Sequence, residues 1–227
     1  MASGLWASPA LSHETKAHLN AATASQATPA ATPSLSDRGE LVPTPLPFNF
    51  GGAFELIDQD GVTRTDKDFR GSFMLVFFGY VQCQSICPIA LRRAALALDV
   101  LGPEAERIQP IAITIDPEND TPEALRAYVK TIHPRLIGLT GGVEPLKRAA
   151  AAYGVDTRLI GAAPNGAPVY AHGSFLFLMA PDGHFLTLLP PTLDAAAIAK
   201  TLTKYLRRHP NKKAPAKGQG FSLYAQF

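Results

Sequence analysis

The sequence predicts a mixed α/β sandwich, one mostly parallel sheet with helices on both faces, and three observations carry that expectation. The runs "SFMLVFFG" and "IQPIAITID" are continuously apolar and too short for typical helices, so they read as strands buried on both sides. Segments with apolar residues at helical spacing alternate with them, which makes consecutive strands parallel. A late pair, "SFLFLM" and "HFLTLL" joined by the turn "PDG", adds antiparallel strands.

Each element has a local reason. From Ala21 to Pro47 the chain is rich in Ala, Thr, Ser and Pro without apolar periodicity, so residues 1–47 are expected to be a flexible N-terminal segment. The domain is expected to start near Phe48 and to run to about residue 207. In "FELIDQDGVTR", Asp60 and Gly61 lie between apolar-containing runs and suit the positive φ of a tight hairpin turn. "SFMLVFFG" ends at Gly79. Pro88 suits the first turn of a helix, and "IALRRAALALDVLG" continues that helix until Gly102 stops it.

After the second buried strand, "DPENDTPEALRAYVKTIHP" offers Thr121 as a cap and Pro122 at the first helical position. Glu123 sits at the positive end of the helix dipole, and Pro134 ends the segment. Asp116 and Pro117 suit the turn that precedes it. On these grounds Asp116, Asp120 and Thr121 read as structural residues. "RLIGLTG" is a third short strand, followed by a helix from about Val143 to Tyr153 and then by a Gly/Pro-rich loop. After the late hairpin comes a last helix, from about Asp194 to Arg207. A strand-helix-strand unit followed by a hairpin and a helix is a thioredoxin-like arrangement, here with an N-terminal β-hairpin and an inserted strand-helix unit.

Composition narrows the functional classes. The 227 residues are 46% hydrophobic and 18% charged, an ordinary globular mixture. Two cysteines are too few for a disulfide-stapled scaffold or a four-cysteine zinc module. The net charge of +2 hides an uneven distribution. Arg207, Arg208, Lys212, Lys213 and Lys217 fall in a stretch without acids, and setting these five aside leaves 16 basic residues against 19 acidic ones. A basic tail over residues 208–227, behind a mildly acidic body, reads as a solvated terminus rather than a nucleic-acid surface, with contact to an anionic lipid surface as the lesser reading. No stretch approaches the roughly 20 apolar residues that span a bilayer. Met1 to Leu11 carries no basic residue ahead of an apolar block, so no signal peptide or anchor is visible in this chain.

The chemistry gathers at Cys83 and Cys87, placed between a buried strand and a helix. In open α/β sheets reactive groups collect beyond the carboxyl ends of parallel strands. If "SFLFLM" runs antiparallel beside the cysteine-bearing strand, the residue just before it faces the same edge, and that region holds His172. The other histidines fit less well. His13 and His18 lie in the N-terminal segment and His209 in the tail, His133 suits a helix end, and His184 belongs to the opposite edge.

In a helical turn, four residues at ~1.5 Å rise put the two cysteine backbones roughly 6 Å apart, close enough to bridge or to share one ion. A helix amino end also favours the thiolate needed for either. Two sulfurs and an imidazole suit a soft ion with few ligands, Cu(I), or Cu(II) with one more ligand; structural zinc wants a fourth protein ligand. A thiol-disulfide oxidoreductase competes, although its usual motif has two residues between the cysteines rather than three. An inert bridge is the plain alternative, and closing so short a loop adds little entropically. Tyr80 stands where a thiol peroxidase has threonine.

These residues resemble the Sco/SenC family of copper chaperones, thioredoxin-like proteins implicated in assembling the copper centre of cytochrome c oxidase. The likeness runs from about Phe54 to Leu206 and rests on "FELIDQDG", "LVFFGYVQCQSICP", "TIDPENDTPEALRAYVK", "IGLTG" and "PDG" in that order. It implies copper, as Cu(I) or Cu(II), held by Cys83, Cys87 and His172, with Cys83 and Cys87 also able to form a redox disulfide. It implies a copper-bearing oxidase subunit as recipient of a CuA-type centre, another copper chaperone or a thiol reductase as a further partner, and a site facing the periplasm or the mitochondrial intermembrane space. Gln84, Ser85 and Ile86 separate the cysteines where the family often has an acidic residue. Ala171 and Gly173 flank the histidine in place of an Asp and a hydroxyl residue.

Overall fold

A computed structural model describes residues 50–210. The expectations placed on residues 1–49 and 211–227, including the linker and most of the basic tail, lie outside them. Thirteen main elements follow in chain order: β1 (Glu55–Asp58), β2 (Thr63–Thr65), β3 (Phe73–Gly79), α1 (Ile86–Leu101), β4 (Ile108–Thr114), α2 (Pro122–Ile132), β5 (Ile137–Thr140), α3 (Val143–Ala152), β6 (Thr157–Ala162), β7 (Pro168–His172), β8 (Leu176–Met179), β9 (Phe185–Leu189) and α4 (Ala195–Arg208).

Seven strands form one sheet in the order β2-β1-β5-β4-β3-β8-β9. β3, β4 and β5 are parallel, β8 runs antiparallel to β3 with Leu178 opposite Leu75, and β9 returns antiparallel to β8. The unit β3-α1-β4 followed by β8-β9 and α4 is the thioredoxin-like arrangement, and its strands are contiguous as β4-β3-β8-β9. The predicted N-terminal hairpin is β1-β2. Gly61 takes φ +81°, and the buried Asp58 carboxylate accepts hydrogen bonds from the amides of Asp60 and Val62 within the turn.

All seven residues of β3 are buried, which explains why its sequence shows no alternation. Side chains still alternate between faces. Phe73, Leu75 and Phe77 enter a core built with α1, α2 and α4, whereas Met74, Val76 and Phe78 enter a second core with α3. Cys83 and Cys87 belong to the first. α1 ends at Gly102, whose φ of +56° only glycine adopts readily. Thr121 caps α2 by accepting from the Ala124 amide.

The stretch expected to be a Gly/Pro-rich loop is instead a second, two-stranded antiparallel sheet, β6-β7, with a register shift between Leu159 and Gly161. Its turn is built on Asn165 and Gly166, the latter at φ +82°, with the Asn165 side chain accepting from the Ala167 amide. β6 is largely exposed and has no buried face to impose an alternating pattern, so composition outweighed the hairpin signal.

Candidate metal centre

Three elements bring the sequence-predicted residues together. Cys83 lies in the loop after β3, and its amide donates to the Tyr80 carbonyl. Cys87 is the second residue of α1, so it sits within the helix rather than ahead of it. His172 is the last residue of β7, four positions before β8 begins at Leu176. Because β8 is antiparallel to β3, with Leu176 opposite Phe77, the chain arriving at β8 reaches the sheet edge from which the cysteine loop leaves.

His172 Nε2 stands 3.5 Å from Cys87 Sγ. On the other side of the ring, Nδ1 is 3.1 Å from the Gly173 carbonyl oxygen. A carbonyl can only accept, so this contact assigns the hydrogen to Nδ1 and leaves the Nε2 lone pair facing the sulfur. That is the orientation of a metal-ligating histidine whose second nitrogen is held by a backbone carbonyl. Phe77 and Tyr80 approach the imidazole edge-on, at centroid distances of 6.4 and 6.1 Å. Tyr80 is in turn packed on Tyr170, and its hydroxyl oxygen accepts from the Tyr170 amide.

Both cysteines are free thiols and both are buried, Cys87 almost completely. Their acidities diverge. The Cys87 thiol donates toward Cys83 and, against the opposing effect of burial, holds the Cys83 thiol well below its ordinary value; the amides of Ser85 and Cys87 act in the same direction. The hydrogen bond to Cys83, then burial and the Cys83 charge, push Cys87 far up. The pair therefore shares one proton, which resides on Cys87, and Cys83 is the thiolate. The Ser85 hydroxyl lies 3.7 Å from Cys83 Sγ. Among the described residues, no three His, Cys, Asp or Glu side chains converge as they stand at spacing that would hold a metal ion. Cys87 and His172 are in contact, and Cys83 adjoins them on the loop.

Of the remaining histidines, His133 is the C-cap of α2, as the helix-end reading expected, and its Nδ1 accepts from the Arg135 amide. His184 pairs with Asp182 within the β8-β9 turn. His209 closes α4. His13 and His18 lie outside the described residues.

Asp116 and Asp120 do more than the turn expected of them. Both are fully buried. Asp120 Oδ2 accepts from the Val81 amide at 3.0 Å and from the Thr114 hydroxyl at 2.6 Å. Asp116 Oδ1 accepts from the Tyr170 hydroxyl at 3.2 Å. Turn and cap patterns account for such residues locally, and their partners 39 and 54 positions away leave no trace in the sequence.

A thioredoxin-like domain with a buried dithiol beside an imidazole defines a class of thiol-based proteins. Within that class the family model SCO1/SenC matches residues 43–207, and the chain belongs to that family. It is 34% identical over 158 residues to the mitochondrial SCO2 homolog of Danio rerio and 34% identical over 165 residues to the mitochondrial SCO1 homolog of Mus musculus. These matches cover 69% and 72% of this chain but only 57% and 58% of those relatives' lengths. Among solved structures, Arabidopsis thaliana ScoI with copper bound matches with a TM-score of 0.67 at 32% identity, covering 70% of this chain and 99% of that one. Bradyrhizobium japonicum ScoI with copper bound matches with a TM-score of 0.64 at 32% identity, covering 69% and 99%. No helix among the described residues is long and apolar enough to cross a membrane.

Proposed function

We propose that Cys83, Cys87 and His172 bind one copper ion as cargo and release it by ligand exchange to a recipient protein. The observation that carries this reading is the 3.5 Å contact between Cys87 Sγ and a His172 Nε2 whose lone pair is directed at it, beside a thiolate at Cys83. Two sulfurs and one imidazole suit Cu(I) with three ligands, or Cu(II) with one more. A small movement of the cysteine loop brings the third ligand in, and the Cys87 proton leaves as copper binds. The copper-bound relatives and the family membership support the same cargo.

In this reading the recipient is the copper-bearing subunit of cytochrome c oxidase, as the family resemblance implies. Another copper chaperone supplies the ion, or a thiol reductase keeps the cysteines reduced. Leu159, Ile160 and Phe175 are 59%, 58% and 41% exposed, and they flank the histidine strand in sequence and register. They offer an apolar rim on which a partner domain can dock. A site facing the periplasm, or the compartment equivalent to it in mitochondria, fits this role and the mitochondrial names of the relatives.

The split acidities favour a second reading, thiol-disulfide reduction of the oxidase's own copper-ligand cysteines. The Cys83 thiolate would attack one sulfur of the partner disulfide and expel the other as a thiolate. Cys87, losing its proton, would then attack Cys83 and release the reduced partner, leaving a Cys83–Cys87 disulfide. One titration separates the readings: the fully reduced protein with Cu(I) and with Cu(II), beside Cys83→Ser and His172→Ala. Copper carriage predicts a one-to-one complex lost in both variants. Equal uptake by all three proteins would end it, and dithiol activity surviving His172→Ala without copper binding would favour the reductase.

A further inference from the structure

The two arms of the site, the cysteine loop and the histidine strand, are both tied to one turn. That turn, residues 114–121, follows β4 and contains Asp116 and Asp120, each with no exposed surface. It is rigid within itself. The Thr114 hydroxyl accepts from the Asp116 amide and donates to Asp120 Oδ2, the Asp120 amide donates to the Asp116 carbonyl, and the Asn119 side-chain amide donates to both Asp116 oxygens. The Ile115 amide, donating to the Gly79 carbonyl, ties the turn to the end of β3.

From this frame each carboxylate reaches one arm, in each case two residues before a proposed ligand. Asp120 holds the Val81 amide, ahead of Cys83; Asp116 holds the Tyr170 hydroxyl, ahead of His172. Residues 170 and 172 point to the same face of β7, so displacement of one side chain moves the other. A turn and a helix cap need no buried charge. Burying two carboxylates is costly, and more so because Asp120 Oδ1 has no partner. Asp120 and the likewise unpartnered Tyr128 hydroxyl line a cavity beneath Tyr80 and Val81, so the cost falls directly under the cysteine loop.

We infer that Asp116, through Tyr170, and Asp120, through Val81, are positioning residues that jointly set the distance between His172 and the cysteine pair. This rests on the copper reading for its principal readout but not for its geometry. Tyr170→Phe removes one hydroxyl and leaves the ring packing intact. It is expected to weaken copper binding about 10-fold or more, the range of lost outer-shell partners, and to change the thiolate-to-copper absorption of the Cu(II) complex.

A double-mutant cycle separates positioning from a general loss of stability. In a His172→Ala background the one-to-one complex is lost and the residual affinity of the two thiols for Cu(I) is the readout: Tyr170→Phe should leave it unchanged, whereas Asp120→Ala, acting on the cysteine arm, should weaken it. Asp120→Asn, which keeps an oxygen for the Val81 amide, should restore most of what Asp120→Ala loses. Melting temperatures of all variants are compared alongside. Wild-type affinity and spectrum in Tyr170→Phe, or equal losses in both backgrounds, would overturn the inference. If the wild-type protein binds no copper, the copper reading falls on its own. The inference is then read from carbon-13-labelled histidine: Tyr170→Phe must move the His172 ring resonance while leaving those of His133 and His184 in place, and an unmoved His172 resonance overturns it.

Discussion

His172 meets Cys87 across 85 positions of sequence, Nε2 to Sγ at 3.5 Å, and beside that contact the hydrogen bond between the two cysteines holds the thiol proton on Cys87 and the charge on Cys83. The first expectation is spectroscopic. At neutral pH the reduced protein should show the 240 nm absorbance of one thiolate per chain, and Cys83→Ser should abolish it. Cys87→Ser removes the largest influence lowering Cys83, so the Cys83 titration should move upward toward an ordinary thiol. An absorbance that survives Cys83→Ser at neutral pH would put the charge on the wrong sulfur.

Asp120 gives a pH dependence of definite sign. Burial is the chief cause lifting its carboxyl from 3.8 to about 6, against the hydrogen bonds from Thr114 and Val81 that lower it. A folded-state value above the unfolded one means that folding takes up a proton between about pH 4 and 6. This group therefore favours the fold fully below pH 4, and its contribution is lost as pH rises through 6. The shift corresponds to at most about 3 kcal/mol. Denaturant-unfolding free energies of the wild type and Asp120→Asn, measured from pH 4 to 7, should differ by a slope: the wild type loses stability relative to the variant as pH rises. Parallel profiles would show that Asp120 does not titrate in this window.

The parts legible in the sequence share a physical property, in that their cause is local or periodic. β3 announced itself because every side chain is buried, α1 because Gly102 stops it, α2 because Thr121 and Pro122 start it, and β1-β2 because Gly61 tolerates positive φ. His172 could be placed from topology alone, since an antiparallel β8 brings its amino end to the cysteine loop. What stayed hidden depends on distant partners or on exposed surface. β6-β7 has little apolar patterning because β6 packs on little, and only Asn165 and Gly166 marked its turn. The holds of Asp116 on Tyr170 and of Asp120 on Val81 are invisible in residues that a turn and a cap already explain.

The alternation along β3 predicts that adjacent phenylalanines separate stability from chemistry. Phe77 enters the core that contains the cysteines and lies edge-on to His172, while Phe78 enters the opposite core against Tyr153 and Phe177. Both have no exposed surface. Replacing either with leucine should lower stability by about 1 to 3 kcal/mol, the range for imperfectly matched core substitutions. Phe78→Leu should leave copper affinity unchanged, whereas Phe77→Leu should weaken it. Equal effects of the two on copper titration would mean that the ring beside His172 has no part in holding it.

Gly79 closes β3 at the one place where the strand has no room for a side chain. A Cβ there would lie 2.7 Å from Phe77 Cε1 and 3.2 Å from Cys87 Sγ. The first contact is shorter than van der Waals packing allows, so the fully buried Phe77 ring or the backbone must shift. Gly79→Ala is therefore expected to push both the ring and the sulfur, costing about 1 to 3 kcal/mol of stability and weakening copper binding together with it. Gly142→Ala is the matched control, because its Cβ would meet only Pro145, at 3.5 Å, and it caps α3 with φ −66° and ψ 157°, which alanine adopts freely. Thermal melts and copper titrations of the two variants should diverge: Gly142→Ala stays within about 0.5 kcal/mol of wild type, as surface changes usually do. If Gly79→Ala instead matches Gly142→Ala in both measurements, Cys87 Sγ does not sit against the end of β3, and the placement of the sulfur pair beside His172 loses its support.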